Sequence, residues 1–176
     1  MSLRPTTYSA PGDQNGGVAA TPALDLLIRS KTVYSVISYH HDPAVESFGQ
    51  EAATALGVEP ARVFKTLVVR ADTALAVAVV PVDATLDMRA LAAALGAKRA
   101  RMAEPASALK STGYVLGGIS PLGQKHPLAT VIDENANRFS TIYVSGGRRG
   151  LEIELAPGDL ATLSMGRFAA IARGLP

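Results

Sequence analysis

Val63-Phe64-Lys65-Thr66-Leu67-Val68-Val69-Arg70, then Ala71-Asp72-Thr73, then Ala74-Leu75-Ala76-Val77-Ala78-Val79-Val80 is the stretch whose reading decides the fold class. Both runs are crowded with β-branched residues and read as strands. The three residues between them predict a hairpin, although no glycine supplies the favoured turn geometry. By strand parity Lys65 shares a face with Leu67 and Val69.

Outward from this hairpin the pattern stays regular. Thr21-Pro22 pairs an N-cap with proline at the first helical position, and Leu24, Leu27 and Ile28 form one apolar stripe, so a helix is expected to about Ser30. Tyr34 to Tyr39 has strand character, and Asp42-Pro43 breaks it. Ser47-Phe48-Gly49-Gln50 matches a capping box, with Gly57 closing that helix. Asp87 caps Met88 to Leu95, which Gly96 ends, and Glu104-Pro105 opens a short helix. Thr130–Asp133, Thr141–Val144 and Leu151–Leu155 are further strands. The last 15 or so residues, around Phe168, Ile171 and Ala172, read as a closing helix. Strands outnumber strand–helix–strand alternations, which predicts an α+β domain with a mixed, largely antiparallel sheet. Residues 1–20, rich in Pro, Gly, Ser and Thr, are expected as a flexible leader, and 21–176 as a single domain.

The chain of 176 residues is 48% hydrophobic and 18% charged, a globular composition. Lys plus Arg number 17 and Asp plus Glu 15, a net +2 that makes no basic nucleic-acid arm. Cysteine is absent, which excludes disulfides, a thiolate nucleophile and cysteine metal sites. With no Trp and 5% aromatics there is no wide stacking platform for bases. No apolar run is long enough to span a membrane and no secretory signal is read. Neither a membrane nor DNA is expected as a partner.

The most unusual stretch is Ser111-Thr112-Gly113-Tyr114-Val115-Leu116-Gly117-Gly118-Ile119-Ser120-Pro121-Leu122-Gly123-Gln124-Lys125. Such glycines let backbone approach a ligand and can form an anion-binding concavity; a tight loop without a ligand fits equally. It is not a nucleotide P-loop, because Gln124 stands where the lysine must be. Val144-Ser145-Gly146-Gly147-Arg148-Arg149-Gly150 can hold a phosphate or carboxylate, or simply turn a hairpin. Lys65 either opens to a cavity or snorkels to water. His40, His41 and His126 lack zinc-ligand spacing and read as surface imidazoles. Ser120 and Ser145 sit in no nucleophile elbow. Glu152 and Glu154 alternate with apolar residues, as in a half-buried strand. Lys98, Arg99 and Arg101 form a basic cluster, either solvated or facing RNA phosphates.

Taken together, Tyr39-His40-His41-Asp42-Pro43, Val63-Phe64-Lys65-Thr66-Leu67, Ser111-Thr112-Gly113-Tyr114, Gly117 to Gln124 and Thr141-Ile142-Tyr143-Val144-Ser145-Gly146-Gly147 resemble the YbaK/EbsC family of freestanding aminoacyl-tRNA deacylases. The resemblance runs from Thr21 to about Arg173 and is closest to the branch that clears cysteine from proline tRNA. It implies a barrel-like sheet wrapped by helices. It implies Lys65 as the essential lysine near the tRNA 3′ end. Gly117, Gly118 and Pro121 correspond to the loop that cradles the aminoacyl group, with Ser120 inside it. Tyr39, Phe48, Thr66 and Ser145 correspond to pocket positions. Where that branch often carries Asp, this chain has Glu152, which keeps the charge and moves it by one methylene. The substrate's own thiol would attack its ester, so neither a protein nucleophile, a metal nor a cofactor is implied. The implied partners are the aminoacyl-tRNA 3′ end and prolyl-tRNA synthetase, in the cytoplasm. A deacylase for another small amino acid such as alanine, or a non-catalytic module binding the tRNA 3′ end, are the alternatives.

Overall fold

The computed structural model describes residues 6–9 and 20–174. Its elements are β1 (Thr6–Ser9), α1 (Pro22–Arg29), β2 (Tyr34–Ser38), α2 (Phe48–Leu56), β3 (Val63–Ala71), β4 (Ala74–Pro81), β5 (Ala84–Leu86), α3 (Met88–Leu95), β6 (Ala100–Met102), α4 (Pro105–Thr112), β7 (Ala129–Asp133), β8 (Ile142–Ser145), β9 (Leu151–Leu155), α5 (Pro157–Ser164), β10 (Arg167–Ala169) and β11 (Ala172–Gly174). The fold is α+β, as expected.

The main sheet runs β1-β2-β9-β8-β3-β4-β7-β10, with β6 added to β3. The β8–β3, β4–β7 and β7–β10 pairs are parallel and the remaining pairs antiparallel, so the sheet is mixed and largely antiparallel. The mixed, largely antiparallel sheet expected is present, and it is not closed into a barrel among the described residues. Among the described residues β1 and β10 are open ends, and the smaller β5–β11 pair does not join them. Thr6–Ser9, expected in a leader outside the core, pairs antiparallel with Ser35–Ser38 of β2 as the edge strand; 1–5 and 10–19 lie outside the described residues.

The β3–β4 hairpin turns at Asp72, which takes the left-handed conformation (φ 50) that no glycine was present to supply. Aspartate tolerates it because its side chain can bond nearby backbone. Here the carboxylate accepts from the N–H groups of Lys98 and Arg99 at 3.0 and 3.1 Å. Thr21 caps α1 and Asp87 caps α3 as read. Ser47 precedes α2 but its side chain makes no cap, because its backbone (φ −105, ψ 89) lies outside the usual extended region. The helix forms through its buried Ala52 and Ala53 and ends at Gly57 in the left-handed region.

The expected closing helix is absent. Helix α5 lies earlier and stops at Met165, and Phe168 and Ala172 belong to strands. The cause is Asp133, fully buried at the end of β7. Its carboxylate accepts from the backbone N–H of Ile171 and Ala172 at 3.0 and 2.7 Å and from Asn135. β10 also pairs in parallel with β7, which draws this segment into the sheet. Asp133→Ala should therefore cost about 3 kcal/mol or more, since it orphans buried N–H donors that met a carboxylate. Urea unfolding of the two proteins would show it, and a loss below about 1 kcal/mol would mean that water replaces the carboxylate.

Candidate active site

Strand β3 has one edge free of β4, and two strands share it. β8 pairs with it at Val63↔Tyr143 and Phe64↔Val144, and β6 pairs at Val69, Arg70 and Ala71. Among the described residues no strand pairs with that edge from Lys65 to Val68, although Ala103 N–H, just past β6, donates to Val68 O at 3.0 Å. Lys65 and Ser145 each sit two residues beyond the Val63↔Tyr143 pair, so they project from one face where the strands part. Ser145 is opposite Glu152, and Glu152 opposite Ile37, which puts Glu152 on the same face. Tyr39, Ile37, Ala52, Ala53, Val63 and Tyr143 pack together on it. Thr66 takes the other face, with Phe64 and Val68, and its hydroxyl is buried without a partner among the described residues.

Lys65 is half-buried. Its ammonium donates to the carbonyl of Ala84 at 2.7 Å. Loss of hydration lowers its pKa, partly offset by the Asp83 carboxylate. An ammonium has three donors, so others remain for a ligand. Glu152 is only 7% exposed, and among the described residues its carboxyl meets no donor. Burial pushes its pKa up to about 8, so the neutral acid dominates at pH 7. Burial, with the carboxylates of Glu152 and Glu51, pushes the Tyr39 phenol up as well, against a lowering backbone contact at Gly150. The Ser145 hydroxyl oxygen accepts from Gly147 N–H at 3.3 Å, leaving its proton free to donate.

The glycine stretch packs against this face through Gly117. Its φ is +82, and a Cβ there would stand 2.8 Å from the Phe48 ring and 2.9 Å from Arg149 Nε. A Cβ on Gly118 would lie 2.8 Å from Arg148 Cα. Tyr114 closes the loop from inside, donating to the carbonyl of Leu122 at 2.8 Å. Ser120 is fully buried; its oxygen accepts from Leu122 N–H at 3.2 Å and its carbonyl accepts from Gln124 at 3.0 Å. Its side chain thus shapes the loop, and Pro121 beside it is buried too. Phe48 and Gly49 open α2, and Gly49 lies directly against Val82, whose N–H donates to Val63 O at 2.8 Å. Helix α2 therefore links Gly117 to the 82–84 segment that holds the Lys65 ammonium.

Sequence reasoning missed the clasp made by Arg149. Its Nε and Nη2 donate to Leu116 O at 3.1 and 2.9 Å, and its guanidinium lies 4.7 Å from the centre of the Phe48 ring. The arginine read as an anion holder is thus committed to joining two loops. His41 also departs from the surface imidazole expected. Its Nδ1 is 2.8 Å from Glu51, its ring 5.6 Å from Phe48, and its side chain 17% exposed. Thr21 bonds Gly146 O at 2.6 Å, tying α1 to the 146–150 loop; a contact across 125 positions leaves no local signal.

Comparison with known proteins gives a consistent result. The aminoacyl-tRNA editing domain family matches residues 42–163. A protein of Enterococcus faecalis that carries the name Cys-tRNA(Pro)/Cys-tRNA(Cys) deacylase EbsC is 43% identical over 123 residues, 69% of this chain and 75% of that one. A crystal structure described as a trans-editing enzyme for prolyl tRNA synthetase is similar at a TM-score of 0.70 and 26% identity, over 79% of this chain and 86% of that one. A hypothetical protein at 23% identity shares the fold, at a TM-score of 0.71 over 80% of this chain and 91% of that one.

Two outcomes test this geometry. Gly117→Ala should destabilise the protein by about 1–3 kcal/mol, because a Cβ must displace Phe48 or Arg149 at a left-handed backbone position; an unchanged melting temperature would mean that the clasp is slack. The raised Glu152 pKa has a definite sign. Between about pH 4.5 and 8 the native carboxyl keeps a proton that the unfolded chain releases, so this contribution falls as pH rises and levels off above 8. Glu152→Gln removes it, so the variant should gain on the wild type from pH 5 to 8.5 in denaturant midpoint. A parallel pH dependence in both would show that Glu152 is not the titrating group.

Proposed function

We propose that this chain, which belongs to the aminoacyl-tRNA editing domain family, is a trans-editing deacylase that removes cysteine from mischarged Cys-tRNA(Pro). The observation that carries this reading is the strandless opening of β3, where a half-buried lysine with free donors and a buried carboxyl share one face beside the glycine loop. The 43% identical relative, named for the same activity, supports it.

In the reaction we propose, the cysteine sulfur attacks the carbonyl carbon of the ester that joins it to the terminal ribose. The C–O bond to ribose breaks, the thiol proton ends on the ribose oxygen, and a cyclic thiolactone leaves. Well-oriented intramolecular attack reaches effective molarities of about 10⁵–10⁸ M, so holding thiol and carbonyl together is a large part of the task. Lys65 would meet the anionic RNA end or the carbonyl oxygen as charge grows on it. Glu152, neutral at pH 7, would donate a hydrogen bond to the bound aminoacyl group. Tyr39, Phe48 and Ser145 would border the pocket, while Thr66, on the other face of β3, would not line it. Gly117, Gly118, Ser120 and Pro121 would present the backbone that cradles it.

Residues 21–176 would form the editing domain, with Thr6–Ser9 adding an edge strand. Activity in the cytoplasm and in company with prolyl-tRNA synthetase belongs to the same proposal. Such a partner would raise the effective concentration of tRNA for a chain of small net charge.

The decisive assay is deacylation of Cys-tRNA(Pro) with product identification. A thiolactone or its hydrolysis product should appear, and seryl- and alanyl-tRNA should react far more slowly. Equal rates on all three would replace the thiol with a protein-activated water. Lys65→Ala should lower kcat/KM by about 10²-fold or more, as loss of an oxyanion donor does. Ser145→Ala should cost less than about tenfold, the worth of one neutral hydrogen bond. Binding of charged tRNA with its ester left intact would make the chain a 3′-end binding module.

A further inference from the structure

We propose that Arg70, Arg99 and Arg101 form a docking site for the phosphate backbone of the substrate RNA, separate from the opening that holds the ester. This rests on the deacylase reading only for the identity of the RNA. The three arginines, with Asp72 and Ala100, line a recess of about 110 Å³ at the far end of β3. Arg70 and Arg101 are direct cross-strand partners. Like charges in that register repel, so the arrangement opposes folding and calls for an anion between them. Lys98, whose backbone N–H bonds Asp72, precedes Arg99 in the chain and adds a positive charge to this segment.

The neighbouring carboxylates offset only part of this charge. Each oxygen of Asp72 accepts one backbone N–H, from Lys98 and Arg99; its single negative charge offsets one of the three arginines, and among the described residues it forms no ion pair with them. Glu104 lies 3.8 Å from Arg101, with both side chains largely exposed, at 65% and 73%, and screened by water. The aspartate has a different effect: it fixes the backbone that aims the arginines. Arg70 spends one N–H on Thr73 O at 3.1 Å, which leaves most of its planar donor fork for phosphate oxygens.

Position favours RNA over other anions. Arg70 stands five residues from Lys65 along β3, about 17 Å at strand spacing, and by parity on the opposite face, so only an extended polyanion that passes around the unpaired edge between them could meet both. A ligand whose ester reaches Lys65 must carry negative charge some nucleotides away. The strandless segment Lys65–Val68 ends where β6 brings Arg101 alongside Arg70.

The test uses the full chain, uncharged proline tRNA for binding by fluorescence anisotropy, and Cys-tRNA(Pro) for turnover. Both are run across a salt series, with two triple variants: Arg70→Gln, Arg99→Gln and Arg101→Gln together, and the same positions changed to Lys. The glutamine variant should melt no lower than wild type, since it removes the Arg70–Arg101 opposition. Should it fail to fold, the double variant Arg99→Gln with Arg101→Gln, at exposed positions, takes its place. Loss of three phosphate contacts should weaken tRNA binding and raise KM by about tenfold or more at 0.15 M salt, and shrink the slope of log K against log salt by about 2, with kcat retained. The lysine variant should keep most of the slope. Unchanged affinity and slope would overturn the proposal, as would a wild type that binds no tRNA. A defect seen only when an acidic protein partner is added would also overturn it, in favour of a protein contact. If the wild type binds tRNA with an arginine-dependent slope yet cleaves no ester, the docking site stands and the deacylase reading falls.

Discussion

One edge of β3 must serve two strands, and the site follows from that constraint. Nine residues of β3 pair almost completely with β4 on one side. On the other, β8 covers only Val63 and Phe64, and β6 only Val69 to Ala71. The parallel partner and the antiparallel partner arrive from different parts of the chain and leave a gap between them. The backbone between them is therefore open to something that is not a strand. Open sheets place ligands at such a divergence, because the connecting loops splay apart there. Here the side chains that leave one face of the gap, Lys65 and Ser145, are set by the Val63↔Tyr143 register, and a one-residue slip of β8 would replace Ser145 by an apolar neighbour.

Burial acts on this face in one direction. It lowers the pKa of Lys65 and raises those of Glu152 and Tyr39, in each case toward the uncharged form. Among the described residues Lys65 and Glu152 form no ion pair; the ammonium is held by a carbonyl and the carboxyl stays protonated at pH 7. An ion pair in this place would spend both groups on each other and leave fewer donors for a ligand. A face with few charges and unspent donors does the reverse. Negative charge developing on a bound carbonyl would meet oriented donors at low dielectric, where they act most strongly.

What the sequence revealed, and what it hid, follows the range of the interactions. Caps, turns and strand periodicity depend on neighbours, so Thr21, Asp87, Gly57 and the β3–β4 hairpin were legible. The C-terminal segment was not, because its conformation is dictated by Asp133, almost forty positions away. The barrel-like curvature was implied by resemblance alone, and the strand order leaves that sheet open among the described residues. Within the site, parity on β3 put Lys65 on the correct face. The same parity assigns Thr66 to the other face, a distinction that a resemblance by motif does not make. The buried state of Glu152 was hidden because alternation with Leu151 and Ile153 looks the same whether the second face meets water or α2.

The glycine loop shows how composition can suggest the right place for a different reason. Glycines crowded near a proline invite the reading of a backbone cradle for an anion. The spaces left by the missing Cβ atoms of Gly117 and Gly118 are used by protein: Phe48 and Arg149 fill one, the Arg148 backbone the other. The arginine that seemed free for a phosphate instead holds the Leu116 carbonyl and covers the Phe48 ring. These contacts set the loop's distance from α2, and through Gly49 and Val82 that distance is tied to the segment holding Lys65. A loop fixed in this way reorganises little when charge shifts in a bound ester, and a small reorganisation is what lets donors act in a transition state. Rigidity supplied by Arg149 and space supplied by glycine are therefore one device, and neither residue type would serve there alone.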